Sequence, residues 1–218
     1  LSKKIAKRAA IVGSRNASHV GLAAAGKIGR DRAGEGFNVV SGYAKGVDTA
    51  AHLGALEKGG KTTIVLSYGI LKFKFKKAFL EFRRSGDVLV VSQVKPNADW
   101  NKGYAMARNK LVVALSEAVV VIECGQVDEN KGAKKSGTFD AGQSALDMKK
   151  KVFVLDPELF QKRPEGNKVL LEQFGATAID ISSGAAKVAK AIQTACSQSG
   201  CVPRQGELPL HIEPSPGE

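Results

Sequence analysis

A chain of 218 residues with 43% apolar content can bury a full core and is most simply one domain. Its formal net charge of +12 favours polyanionic partners, nucleic acid first, although a charge kept for solubility gives the same total. Cys124, Cys196 and Cys201 lack the spacing of a disulfide framework, and neither a signal peptide nor an apolar run of membrane-spanning length is visible. These features exclude the disulfide-rich secreted and membrane-spanning classes and suit a reducing cytoplasm. The sequence opens on Leu1 rather than methionine, as expected where an N-terminal portion has been trimmed.

Lys3 to Arg8 is basic and leads into Ala9-Ala10-Ile11-Val12, which predicts the first parallel strand. It ends at Gly13-Ser14-Arg15, and the segment that follows places Val20, Ala24 and Ile28 on one helical face. The turn is not a dinucleotide fingerprint, because G-x-G-x-x-G needs glycine where Arg15 stands. Arg15 offers instead a guanidinium that can hold phosphate through two parallel hydrogen bonds. The unit then repeats. Phe37 to Val40 predicts a buried strand, Ser41-Gly42-Tyr43-Ala44-Lys45-Gly46 a glycine turn, and the proline-free run through Leu56 a helix. Gly42 and Gly46 give the backbone access to positive φ and to close approach of a ligand, the amides opening the helix attract anions, and Lys45 adds a mobile cation. An ordinary βα turn whose glycines serve only packing has the same pattern. Two successive strand-turn-helix units predict a parallel α/β sheet.

Thr62 to Leu66 and Asp87 to Ser92 predict the next strands. Between them, Leu71 to Lys77 interleaves aromatic and basic residues; if extended, it sends Lys72, Lys74 and Lys76 to one face and Phe73 and Phe75 to the other. Bases stack on exposed rings beside such lysines, but the commoner arrangement has the phenylalanines anchoring a solvated basic loop to the core. A helix is expected from near Met106, with Arg108, Asn109 and Lys110 in its early turns, where cations oppose the helix dipole and a bound anion would remove the conflict. Ala118 to Glu123, the most apolar run, predicts a central strand buried on both faces. A polar loop with Lys131, Lys134 and Lys135 follows. Ser136-Gly137-Thr138 then opens a helix carrying Phe139, Gly142 and Leu146 on one side, with Ser136 either a plain N-cap or part of a phosphate contact. Val152 to Leu155 predicts a strand, Asn167 to Phe174 a short helix stopped by Gly175, and Ala176 to Ile179 a short strand or loop. Val188, Ala189, Ile192 and Ala195 share one face of a last helix. From Ser197 onward the composition predicts a disordered tail, which leaves residues 1–196 as the folded unit.

Five motifs, Gly13-Ser14-Arg15, Ser41 to His52, Arg108-Asn109-Lys110, Ser136-Gly137-Thr138, and Gly166-Asn167-Lys168 followed by Gly175-Ala176, stand in a fixed order. In that order and rough spacing the chain resembles the DNA-processing protein A (DprA/Smf) family over about residues 7 to 192. The resemblance implies an extended Rossmann-like fold, a mostly parallel sheet with helices on both faces. It further implies non-catalytic binding of single-stranded DNA in a basic pocket, a homodimer, and help in loading a RecA-type recombinase during natural transformation. Carried over by position, Arg15, Lys45 and Arg108 line the pocket, and Asn109, Lys110 and the helix start at Ser136, Gly137 and Thr138 contribute around it. Gly13, Ser14, Ser41, Gly42 and Gly46 form the turns that admit phosphates to the backbone. The family usually carries an aromatic and a proline before its Arg-Asn-Arg run. Here Tyr104-Ala105-Met106-Ala107 precedes Arg108 and Lys110 stands for the last arginine, which leaves Tyr104 or Trp100 as candidates for base stacking. A helical domain before the core and a winged-helix module after it, common in the family, are not apparent.

The rival class is an enzyme. Phosphoribohydrolases resembling the lysine-decarboxylase-like (LOG) family share the broader fold but carry a Pro-Gly-Gly-x-Gly-Thr-x-x-Glu loop. This chain has Lys135-Ser136-Gly137-Thr138-Phe139-Asp140-Ala141 there, without the double glycine or the glutamate. Asp48 and His52, four apart on a helix, could form an acid–base pair, although a helix-start aspartate and a core histidine are the plainer reading. A nucleotide sensor that binds without turnover is the third class. No metal or cofactor is expected, because His19, His52 and His211 lie far apart and Cys196 and Cys201 have no second ligand pair.

Overall fold

The computed structural model describes residues 7–125, 136–182, 186–188, 190 and 194. The apolar runs become seven strands, β1 (Arg8–Val12), β2 (Asn38–Ser41), β3 (Thr62–Leu66), β4 (Val88–Ser92), β5 (Ala118–Val121), β6 (Lys151–Leu155) and β7 (Thr177–Ile179). Every pairing is parallel, and the order across the sheet is β4-β3-β2-β1-β5-β6-β7. Parallel strands need crossovers, and these supply α1 (His19–Gly34), α2 (Val47–Glu57), α3 (Lys102–Ala114), α4 (Gly137–Asp147) and α5 (Glu165–Glu172). The fold is the expected α/β Rossmann-like one.

The helices cover both faces, so β1 and β5 at the centre read as unbroken apolar runs rather than alternating ones. Ala24, Ala25 and Ile28 of α1 and Val47, Ala51 and Ala55 of α2 pack on Ala9, Ile11, Val39 and Val120. Val112 and Val113 of α3, Phe139, Ala141 and Ala145 of α4 and Leu170 of α5 pack on Ala10, Val12, Val119 and Val121 from the other side. On the first face the helices meet backbone to backbone. A Cβ at Gly54 would lie 2.1 Å from the Gly26 carbonyl oxygen and one at Gly29 2.4 Å from that of Ala51. This close contact fixes the turns that open α1 and α2 relative to each other.

From β1 the chain winds outward through β2 and β3 to β4, then returns to the far side of β1 with β5. The loops leaving β1 and β5 therefore diverge at their carboxyl ends and leave a crevice, the usual ligand position in open α/β sheets.

Several boundaries differ from expectation. Helix α3 starts at Lys102, because Asn101 caps it by accepting from the Tyr104 amide (2.8 Å), so Arg108 lies well past the first turn and does not oppose the dipole there. Strand β5 ends at Val121, and α5 opens at Glu165 behind Pro164. The Leu71 to Lys77 segment is not a strand: Phe73 packs tilted against Tyr43 at 5.3 Å and edge-on to Phe75 at 4.9 Å, which anchors it to the turn after β2. Lys76 leaves the solvated set, since its ammonium donates to the carbonyls of Tyr43 (2.8 Å) and Ala44 (3.1 Å) and to Thr49 Oγ1 (3.1 Å). The expectations for Lys131, Lys134 and Lys135, for Ala189, Ile192 and Ala195, and for the tail from Ser197 lie outside the described residues.

His52 of α2 fastens the same turn. It is fully buried, its Nε2 donating to the Gly42 carbonyl at 2.5 Å while Nδ1 lies 2.5 Å from Thr62 Oγ1. Burial pushes its pKa down from 6.5 to about 4. The unfolded chain takes up a proton near pH 6.5 and the folded one only near pH 4. The stability linked to His52 is therefore full above pH 6.5 and falls as the pH drops toward 4, by about 3 kcal/mol. Urea unfolding followed between pH 7 and pH 4 should show this slope, and His52→Gln should flatten it; an equal slope in a folded variant would assign the loss to other groups.

Candidate functional site

The crevice between the ends of β1 and β5 is a cavity of about 300 Å³. Ser14, Arg15 and Asn16 enter it from the turn after β1, Arg108 and Asn109 from α3, and Ser136, Gly137 and Thr138 from the start of α4. Local bonding sets each wall. The Ser14 amide donates to the Glu123 carbonyl (2.8 Å), which draws the first turn across β5, and Ser14 Oγ accepts from the Asn16 amide (3.1 Å). Ser136 Oγ caps α4 by accepting from the Phe139 amide (3.1 Å), and Asn109 Nδ2 donates to the Gly137 carbonyl (2.9 Å), tying α3 to α4. Beneath them the fully buried Asn167 accepts from the Cys124 amide and donates to the carbonyls of Ile122 and Leu155, joining the ends of β5 and β6.

Among the helices that begin at this edge are α1, α2 and α4, and two of these three meet a carboxylate of the chain itself. Glu123 Oε2 accepts from the Ser18 amide (2.9 Å) and hydroxyl (2.8 Å) at the start of α1. At the start of α2 the Val47 amide donates to the Ser14 carbonyl (3.2 Å), and Asp48 Oδ2 accepts from the Ala44 amide (3.3 Å). An internal anion thus offsets the dipole at the α2 start that the sequence assigns to a ligand. The start of α4 opens onto the crevice.

Arg108 is only 7% exposed, its Nη1 lying 3.4 Å from Asp48 Oδ2. A Cβ on Gly42 would fall 1.1 Å from that nitrogen, and Gly42 does not take a positive φ. The space that Gly42 leaves is taken by the Arg108 guanidinium. Gly13 likewise makes room for Val47, whose Cγ2 would lie 2.5 Å from an added Cβ. Gly46 does need its positive φ of +80°, and a Cβ there would meet the Ser14 carbonyl at 2.4 Å. These glycines let the two turns and Arg108 pack on one another.

The other expected residues divide. Lys45 is exposed and lines a second hollow of about 270 Å³ with Tyr43, Tyr68, Trp100 and again Arg15 and Arg108, so the three cations Arg15, Lys45 and Arg108 converge. Ser41 is buried and its hydroxyl donates to the Ile11 carbonyl (2.6 Å), joining β2 to β1. Lys110 is exposed on α3 and lines neither hollow. Asp48 forms no acid–base pair with His52, because Gly42 and Thr62 engage both ring nitrogens. Burial pushes the Cys124 thiol up to about 11, which keeps it protonated at neutral pH. Among the described residues no group of three His, Cys, Asp and Glu side chains is placed to hold a metal ion, and no helix is long and apolar enough to cross a membrane. Sequence reasoning missed Asn16, and it missed Asp48 as the partner of Arg108. An aspartate in the first turn of α2 was visible, but nothing in the sequence pairs it with a residue on α3.

The sequence model of the DNA recombination-mediator protein A family matches residues 1–192. The DNA processing protein DprA of Streptococcus pneumoniae is 30% identical over 168 residues, 76% of this chain and 56% of that protein. DprA of Bacillus subtilis is 26% identical over 79% of this chain and 56% of that protein, so the chain spans about half the length of these relatives. The crystal structure of S. pneumoniae DprA superposes with a TM-score of 0.70 at 28% identity, covering 85% of this chain and 61% of that one. A Helicobacter pylori DprA structure, described as giving insight into a unique single-stranded DNA binding mode, superposes with a TM-score of 0.68 at 28% identity, over 84% of this chain and 80% of that one. A molybdenum cofactor binding protein of Rippkaea orientalis shares the fold at 19% identity, with a TM-score of 0.61 over 87% of this chain and 98% of that one. With a family match that runs through both turns, α3 and α4, the chain belongs to the DNA recombination-mediator protein A family, the DprA/Smf family that its motifs resemble.

Proposed function

We propose that the crevice and its adjoining hollow bind the sugar-phosphate chain of single-stranded DNA without catalysis, as a step in DNA processing and recombination. The observation that carries this reading is the convergence of Arg15, Lys45 and Arg108 beside the open start of α4. Such groups recognise backbone rather than sequence, so base preference is slight. Against turnover stand the chemical groups themselves. Asp48 is paired with Arg108, His52 is buried and bonded at both nitrogens, and Cys124 is a protonated thiol. The names of the DprA relatives and the single-stranded DNA binding described for the H. pylori protein support the ligand class. A homodimer, a RecA-type recombinase partner, a cytoplasmic setting and a role in transformation belong to the same proposal and rest on family membership.

Fluorescence anisotropy with labelled oligothymidine at several salt concentrations tests the reading. Affinity should fall steeply with salt, and Arg15→Ala and Lys45→Ala should each weaken binding about tenfold and reduce the salt slope by about one. A folded variant with wild-type affinity and slope would remove that residue from the site. Tight, salt-insensitive binding of a mononucleotide would favour a nucleotide sensor instead.

Gly42→Ala removes no charge, yet it should weaken oligothymidine binding as much as Arg108→Ala does, because the new methyl takes the place of the guanidinium. The double variant should be no weaker than either single one. Additive losses would show that Gly42 acts independently of Arg108.

A further inference from the structure

Beside the two cavities, a third hollow of about 490 Å³ lies between the starts of α1 and α2. The two helices touch at Gly26 and Gly54, and on the amino-terminal side of that contact they leave a gap. Ala17 and Leu22 on one side and Ala50 and Leu53 on the other give the gap an apolar floor, and Arg15 and Lys45 stand on its rim. Leu22 is 38% exposed there. Lys76 also lines the hollow, but its ammonium is already held by the carbonyls of Tyr43 and Ala44. Among the described residues neither Arg15 nor Lys45 meets a carboxylate. An apolar floor between two unanswered cations suits a short segment whose apolar side chains are flanked by acids.

One stretch of this chain has that composition. Glu207-Leu208-Pro209-Leu210-His211-Ile212-Glu213 carries an acid at each end and no lysine or arginine, in a protein whose formal net charge is +12. Leu208, Leu210 and Ile212 alternate with other residues, a spacing that places all three on one side of an extended chain. Pro209 and Pro214 favour extended backbone at the residues before them, which lowers the entropy lost on docking. The chain also leads to the correct face. Val188 packs in the same core as Ala24, Ile28, Ala51 and Ala55, so the last described residues lie on the side of the sheet covered by α1 and α2. The stretch from Thr194 to Glu207 can span up to about 43 Å, against about 24 Å for the length of α1.

We propose that Glu207 to Glu213 docks in this hollow of its own chain, with Leu208, Leu210 and Ile212 on the apolar floor and the two glutamates against Arg15 and Lys45. The consequence for DNA rests on the phosphate-chain reading above. Arg15 also lines the crevice and the second hollow, and Lys45 lines the second hollow, so the docked segment and the phosphates of DNA compete for the same two cations. Tethering makes a weak contact sufficient, because the segment is held near the hollow at an effective concentration on the order of millimolar. Apparent DNA affinity is then reduced by the fraction of chains whose cations are free.

The test is a full-length variant carrying Leu208→Ser, Leu210→Ser and Ile212→Ser together, which leaves the net charge unchanged. Methyl resonances of Leu22 and Leu53 are recorded for wild type and variant without DNA at several protein concentrations, and oligothymidine binding is then followed by anisotropy at low salt. The methyl shifts should differ between the two proteins at every concentration. The variant should bind oligothymidine about fivefold more tightly, as for a segment docked about four-fifths of the time. Leu22→Asn, on the floor and equally neutral, should give part of the same gain. Identical methyl shifts in wild type and variant would overturn the docking, whatever the DNA result. Altered shifts with unchanged oligothymidine affinity would overturn the competition, and shifts that depend on protein concentration would assign the segment to a second copy and overturn docking within one chain. If neither protein bound oligothymidine, the phosphate reading would fall while the methyl shifts still decided the docking.

Discussion

The contact between Arg108 and Asp48 over Gly42 is the constraint on which the site depends. Arg108 comes from α3 and Asp48 from the first turn of α2, and Gly42 belongs to the turn that links β2 to α2. One buried ion pair thus joins elements from the two opposite faces of the sheet. Removing either partner would leave an unpaired charge in a nearly closed space, a loss of about 3 to 5 kcal/mol. The pair also decides where positive charge is displayed. Asp48 holds the guanidinium at the junction of the two cavities, while Arg15 and Lys45 remain exposed beside it.

The glycines acquire their meaning from that junction. Gly13, Gly42 and Gly46 each occupy a place where a Cβ would collide with another part of the site: Val47, the Arg108 guanidinium, and the Ser14 carbonyl. The helix starts are divided in the same economical way, with Glu123 at α1, Asp48 at α2 and an open start at α4. On the proposed reading a ligand phosphate would meet the helix start at α4 and three cations, held by side chains from both faces.

Much of this was legible in the sequence where the signal was local. The strands stood out as apolar runs and Ser136 as a cap, and Val20, Ala24 and Ile28 do line the face of α1 that meets the sheet. Residues of β3 were correct from end to end. The start of α3 was misplaced because Asn101-Lys102-Gly103 looks like a turn, although asparagine is also a strong N-cap. The function of Gly42 and the answering carboxylates of Glu123 and Asp48 were not legible, because each depends on a contact between distant parts of the chain. Periodicity reports which face of an element is buried, and it carries no information about which charge lies opposite.

The most direct measurement of the central claim is an amide chemical-shift map of the isotope-labelled protein titrated with oligothymidine. The account predicts that the perturbed amides cluster at Gly13 to Asn16, Ala44 to Gly46, Arg108 and Asn109, and Ser136 to Thr138, all at the carboxyl ends of the strands. Perturbations confined to the opposite edge of the sheet, around Gly36, Gly59 and Gly86, would contradict it.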